Sequence, residues 1–133
     1  MNTAWAKEWA DNFTDLDKLM GKYADDAQFE DVIIAHKESG KAALAKFFAA
    51  AGNPAYAENT FVAVGYCGNA DAGAVEWVWQ AKHIAGKILG VPAKGKETKA
   101  RGVSILTFKN GKIATQHDYW DAAAVLRQLG AIK

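Results

Sequence analysis

The chain has 133 residues, half of them apolar and 23% charged, with a formal charge of +1. That length suits one domain, 1–133, with a core of its own. The balance of acids and bases gives no electrostatic reason to expect a nucleic acid or an acidic membrane surface as partner. No apolar run approaches the roughly 18 residues of a membrane span, and the N-terminus shows no signal-peptide core. Cys67 is the only cysteine, so no internal disulfide can form, and a cytoplasmic setting is expected.

Residues Thr3 to Tyr23 read as helix. Trp5 and Trp9 stand four apart, Phe13, Leu16, Leu19 and Met20 continue the apolar face, and Asn12 to Asp17 bends or breaks the run. A short extended piece over Gln28 to Ile34 and a turn over His36 to Gly40 follow. Lys41 to Ala51 is predicted as helix, rich in Ala, Leu and Phe and closed by Gly52 and Pro54.

The period then changes. Asn59 to Tyr66, Ala74 to His83, Thr98 to Phe108 and Lys112 to Trp120 read as strands between glycine-containing turns. Ile84 to Lys96 is a longer, glycine-marked connection, and Ala122 to Leu129 a last short helix. Lys94 to Arg101 is loosely basic and reads as a solvated loop and strand edge. Helices first and strands afterwards describe an α+β domain, with helices covering one face of a curved antiparallel sheet.

Alternation decides which side chains share a face. In Ala74 to His83, one face carries Val75, Trp77, Trp79, Ala81 and His83. The other carries Glu76, Val78, Gln80 and Lys82 and suits solvent. The hairpin around Asn110-Gly111 admits two registers. A two-residue turn sets Ser104 opposite His117. A three-residue loop sets Ser104 opposite Gln116 and Gly102 opposite Asp118. The second gathers Ser104, Gln116, Asp118 and Trp120 on one face and leaves Val103, Ile105, Ile113, His117 and Tyr119 on the other. A carboxylate such as Asp118 among core residues needs a partner, a pocket or a raised pKa.

YADDAQFED at Tyr23 to Asp31, the SGKAALAKFF helix start, GVSILTFKNGKI and DYWD followed by LRQLG carry a resemblance over nearly the whole chain. In them the sequence is similar to the SnoaL-like proteins, which belong to the nuclear transport factor 2 superfamily with the polyketide cyclases and ketosteroid isomerases. The resemblance implies a cone: helices closing over a strongly curved antiparallel sheet, with a ligand cavity inside and the convex face used for dimerisation. It also favours the three-residue loop. Asp118 matches the acid/base aspartate of the cyclases, and Asp31 the general base of the isomerases. Ser104 stands where the isomerases carry an oxyanion-hole aspartate and the cyclases a histidine. Lys7 is the nearest match to the isomerases' helix tyrosine, so the known steroid-isomerising constellation is not reproduced.

The expectation is a small-molecule enzyme using general acid-base chemistry on a hydrophobic carbonyl-type metabolite, by isomerisation, aldol-type cyclisation, or hydration and dehydration. Asp118 would move the proton, with His83 or Asp31 in the complementary role. Trp77, Trp79, Trp120, Ser104 and Gln116 would hold the substrate. With no phosphate-cradling loop and no close ligand spacing, neither cofactor nor metal is expected. The rival reading is a ligand-binding or association module without turnover. A homodimer is expected through Val103, Ile105, Ile113 and Tyr119.

Overall fold

The computed structural model describes residues 1–133. Helix α1 spans Thr3–Asp11, and its first turn is capped by Asn2, whose side chain accepts the Trp5 N–H at 2.9 Å. A 3-10 turn over Asn12–Thr14 makes the expected break. Asp15 then caps α2, Leu16–Met20. Gly21 ends the helical run, so Tyr23, expected at a helix end, instead opens strand β1, Tyr23–Asp31. The expected turn after it is strand β2, His36–Ser39. Helix α3 follows at Lys41–Ala51.

The long strands are β3 (Ala57–Gly68), β4 (Ala72–His83), β7 (Glu97–Lys109) and β8 (Lys112–Trp120). A small hairpin, β5 (Lys87–Ile88) with β6 (Val91–Pro92), lies in the connection, and α4 spans Ala122–Gln128. The main sheet runs in the order β2-β1-β8-β7-β4-β3. The curved sheet, expected to be antiparallel, is so at every pairing but one: β1 and β8 run parallel, which makes it mixed. Strand direction between partners so far apart in sequence depends on the route of the intervening chain. Neither segment encodes it locally.

The register of β7 and β8 is also corrected. The tip is the two-residue Asn110-Gly111 turn, both residues at positive φ (53° and 74°), which pairs Lys109 with Lys112 and Phe108 with Ile113. Ala114 then bulges out of the ladder, and pairing resumes with Thr107 opposite Thr115. Beyond the bulge Ser104 faces Asp118, Leu106 faces Gln116 and Gly102 faces Trp120. Neither expected register occurs, yet the bulge restores the expected face for Gln116, Asp118 and Trp120. Ile113 precedes the bulge. It is therefore buried in the core and not on the convex face.

Side chains on the concave face build the core. Trp9, Leu19, Tyr23, Phe29, Leu44, Val75, Trp77, Leu106, Phe108 and Ile113 form one cluster beneath α1 and α3. A smaller cluster of Ala100, Val125 and Leu129, touched by Trp79 and Trp120, lies under α4. No helix is long and apolar enough to cross a membrane.

Candidate active site

Asp118 sits on the concave face, with Ser104 directly opposite on β7 and Asp31 directly opposite on β1. Its Oδ1 accepts the Ser104 hydroxyl at 2.5 Å and the Gln116 amide at 3.0 Å. Ser104 Oγ in turn accepts the Trp77 indole N–H at 3.0 Å, and Gln116 Oε1 accepts the Tyr23 hydroxyl at 2.6 Å. Asp118 Oδ2 accepts no hydrogen bond within the protein. It is also not among the fully buried unpartnered atoms, of which Asn12 Nδ2 alone is found. One oxygen is therefore committed to the protein and the other is open.

Burial drives the Asp118 carboxyl from an ordinary 3.8 up to about 7. The hydrogen bonds from Ser104 and Gln116 work against that rise, and the nearby Asp31 charge adds to it. Burial likewise raises the Tyr23 hydroxyl far above its ordinary value. Asp118 is only partly enclosed, so a proton can reach it.

Asp31 ends β1 and is tied down four times. Trp120 Nε1 lies 3.1 Å from each of its oxygens, and its Oδ1 accepts the N–H groups of Ile33 and Ile34 at 3.1 and 3.3 Å. The carboxylate thus caps the following turn and also sits across a strand gap from Asp118. Two carboxyl groups side by side, one rich in donors and one pushed up in pKa, are the arrangement that lets neighbouring acids play different parts.

His83 is not brought to Asp118. It ends β4, well along the strand from Val75, the residue opposite Ser104, and packs against Trp79. It is buried, its Nε2 lies 2.8 Å from Thr98 Oγ1, and burial lowers its pKa. Of the two partners expected for Asp118, Asp31 stands opposite it, while His83 is bonded to Thr98 instead. Alternation along β4 places it on the right face but says nothing of distance along a long strand.

The tryptophans divide between two places. The Trp77 ring lies across the β7 backbone, where a Cβ at Gly102 would come within 2.3 Å of it. Trp79 donates to Asn59 at 2.9 Å and meets Trp120 edge to face at 5.6 Å and His83 at 6.0 Å. Trp77 thus fills space beside Ser104, while Trp79 and Trp120 wall the region under α4. Two surface hollows, of about 460 and 410 Å3, lie elsewhere: one runs along Ile33, Arg101, Tyr119 and Trp120, the other along Glu58, Gln80 and Lys99. Neither includes Asp118. No three or more His, Cys, Asp or Glu gather as metal ligands would.

Sequence reasoning missed Tyr23 and Trp9. Reading Tyr23 as the end of a helix hid its place beside Gln116, since the pairing of β1 with β8 skips from Tyr23 to Gln28. The YADDAQFED motif held the only signal.

The family model for SnoaL-like polyketide cyclase matches residues 1–129. No curated protein matches the chain in sequence. Among solved structures, a candidate polyketide cyclase from Pseudomonas putida is 19% identical over 96% of this chain and 98% of its own, at a TM-score of 0.81. A protein of ketosteroid isomerase-like fold from Catenulispora acidiphila, solved with trimethylamine, is 17% identical over 99% and 96%, at 0.79. AclR, a candidate hydroxylase from Streptomyces galilaeus, is 20% identical over 99% and 89%, at 0.77. At these identities the likeness establishes the fold alone.

Proposed function

We propose, from the premise that this chain belongs to the SnoaL-like polyketide cyclase family, that it is an acid-base enzyme acting on a small hydrophobic carbonyl compound. Asp118 is the proton carrier in this reading. The observation that carries it is a carboxyl pushed up to about 7, with one oxygen held by Ser104 and Gln116 and the other free. A general acid or base works best when its pKa lies near the working pH. Asp31 supplies the neighbouring charge. Trp120, which donates to Asp31, and Trp79 present aromatic faces to a flat substrate.

In the forward step Asp118 Oδ2 takes a proton from a carbon next to the carbonyl, and the C–H electron pair passes into an enolate. The proton is then returned to carbon, as in isomerisation, or the enolate carbon attacks a second carbonyl, as in aldol-type closure, and the alkoxide so formed takes the proton from Asp118. Elimination of water fits the same proton inventory. The lone Cys67, which is exposed, suits a reducing cytoplasm, and a second copy on the convex sheet face completes the proposal.

The test is proton exchange in D2O. Enolisable hydrophobic ketones and β-keto esters are incubated with the protein and their α-C–H signals followed by NMR. Exchange above the buffer rate is expected, falling by at least about 100-fold in Asp118→Asn, the low end for loss of a general base. Unchanged exchange in the variant overturns the assignment. The rival module without turnover is favoured by the way Trp77 fills the space beside Ser104, and it predicts ligand binding with no exchange.

A further inference from the structure

The two donors on Asp118 are the ends of two chains that begin deep in the core. One runs from Trp9 Nε1 to the Tyr23 hydroxyl (3.2 Å), from that hydroxyl to Gln116 Oε1 (2.6 Å), and from Gln116 Nε2 to Asp118 Oδ1 (3.0 Å). The other runs from Trp77 Nε1 to Ser104 Oγ (3.0 Å) and from that hydroxyl to Asp118 Oδ1 (2.5 Å). Trp9, Tyr23, Trp77, Ser104 and Gln116 are all buried.

Each chain starts at an indole, and an indole can only donate. The Tyr23 oxygen receives the Trp9 proton, so its own single proton goes to Gln116. That fixes the Gln116 carbonyl towards Tyr23 and its amide towards Asp118. Ser104 Oγ has two partners only, Trp77 Nε1 and Asp118 Oδ1; the indole cannot accept, so the buried hydroxyl proton has Asp118 as its acceptor. A chain begun by a hydroxyl or an amide could reverse and present a lone pair to Asp118. These two cannot.

We propose that Trp9 and Trp77 are positioning residues that hold both chains aimed at Asp118 Oδ1, and so reserve Oδ2 as the one oxygen through which Asp118 takes up and releases its proton. This rests on Asp118 being the proton carrier and adds the atom that carries it. The proton leaves the substrate carbon for Oδ2 and departs from Oδ2, while every bond to Oδ1 stays in place. No hydrogen bond has to reorient during the transfer, which is the condition for preorganised catalysis.

The inference is testable without a substrate. Infrared difference spectra between acid and alkaline pH, on protein carrying carboxyl-labelled aspartate, isolate the C=O stretch of protonated Asp118, identified by its loss in Asp118→Asn. With the proton on Oδ2, the carbonyl is C=Oδ1 and accepts two hydrogen bonds, so its band lies well below that of a free acid. Trp77→Phe and Trp9→Phe keep a ring and remove the N–H. Both are expected to broaden the band and move it upward, and Ser104→Ala to move it further. The titration midpoint rises by roughly one pH unit in Ser104→Ala, because a donor that favours the ionised form is lost. Of the titratable groups that bear on Asp118, Asp31 is untouched in all these variants, and Tyr23 loses a hydrogen bond only in Trp9→Phe. Should Trp9→Phe fail to fold, Trp77→Phe and Ser104→Ala test the other chain by themselves. A band at the free-acid position, or one unmoved by the removal of either indole N–H, overturns the inference. Absence of any Asp118 band in the neutral range overturns the proton-carrier reading itself.

Discussion

Asp118 carries a stability consequence as well as a chemical one. Between about pH 4 and pH 7 the unfolded chain has released this proton while the native state keeps it, since the native carboxyl titrates at about 7. Native protein then binds more protons than unfolded protein, and stability falls as pH rises through that window. Roughly three pH units at about 1.36 kcal/mol each set a ceiling of about 4 kcal/mol, which partial exposure of the residue lowers. Asp118→Asn removes the term, so the variant is expected to outlast wild type in urea at pH 8 and to show a flatter profile from pH 4 to 7. Identical slopes in the two proteins would mean that the carboxyl is not raised. The need for a partner or a raised pKa was legible in the residue alone, as a carboxylate in an apolar strand. The residues behind its partner Gln116 were not, because Tyr23 and Trp9 come from segments about a hundred residues away.

At the scale of the element, the β7–β8 hairpin shows a local signal and a long-range demand satisfied together. Asn110-Gly111 has the backbone preference of a two-residue turn and takes it. The buried faces of Leu106 and Gln116 ask for the opposite parity, and the bulge at Ala114 reconciles the two. Deleting Ala114 while keeping the turn would rotate Gln116, Asp118 and Trp120 to the convex side. A loss of more than about 4 kcal/mol is expected, the range reached when a buried network is broken, and urea unfolding followed by circular dichroism measures it. Gly111→Ala should cost only about 1 kcal/mol, for a side chain at positive φ. Equal costs for the two changes would show that the register does not depend on the bulge. A bulge has no sequence signature of its own, so the hairpin was legible and its register was not.

For the whole molecule, the convex face bears a strip of apolar side chains: Val62 and Val64 on β3, Ile105 on β7 and Tyr119 on β8 are 50%, 54%, 43% and 43% exposed. The Arg101–Glu76 pair, at 2.7 Å, lies among them. Exposed apolar side chains gathered on one sheet face mark an interaction surface, and the proposed cover is a second copy. Sedimentation at micromolar concentration is expected to give a dimer, and Ile105→Lys a folded monomer with an unchanged circular dichroism spectrum, since Ile105 lies outside the core. A monomeric wild type would count against the dimer.

Alternation along β4, β7 and β8, the glycine turns and the helix breaks at Asn12 to Asp17 and at Gly52 are short-range, and they decided the α+β class, the strands and that Gln116, Asp118 and Trp120 share one face of β8. Their physical basis is the two-residue period of a strand and the local capping of helix ends. Three things were left to the tertiary structure: the parallel pairing of β1 with β8, the bulge that sets Ser104 against Asp118, and the placing of Asp31 opposite Asp118 while His83 bonds to Thr98. Each depends on where chain segments distant in sequence meet, and on burial that appears only once they have. The raised Asp118 pKa belongs with these, because desolvation is a property of the assembled core and not of the strand that carries the carboxylate.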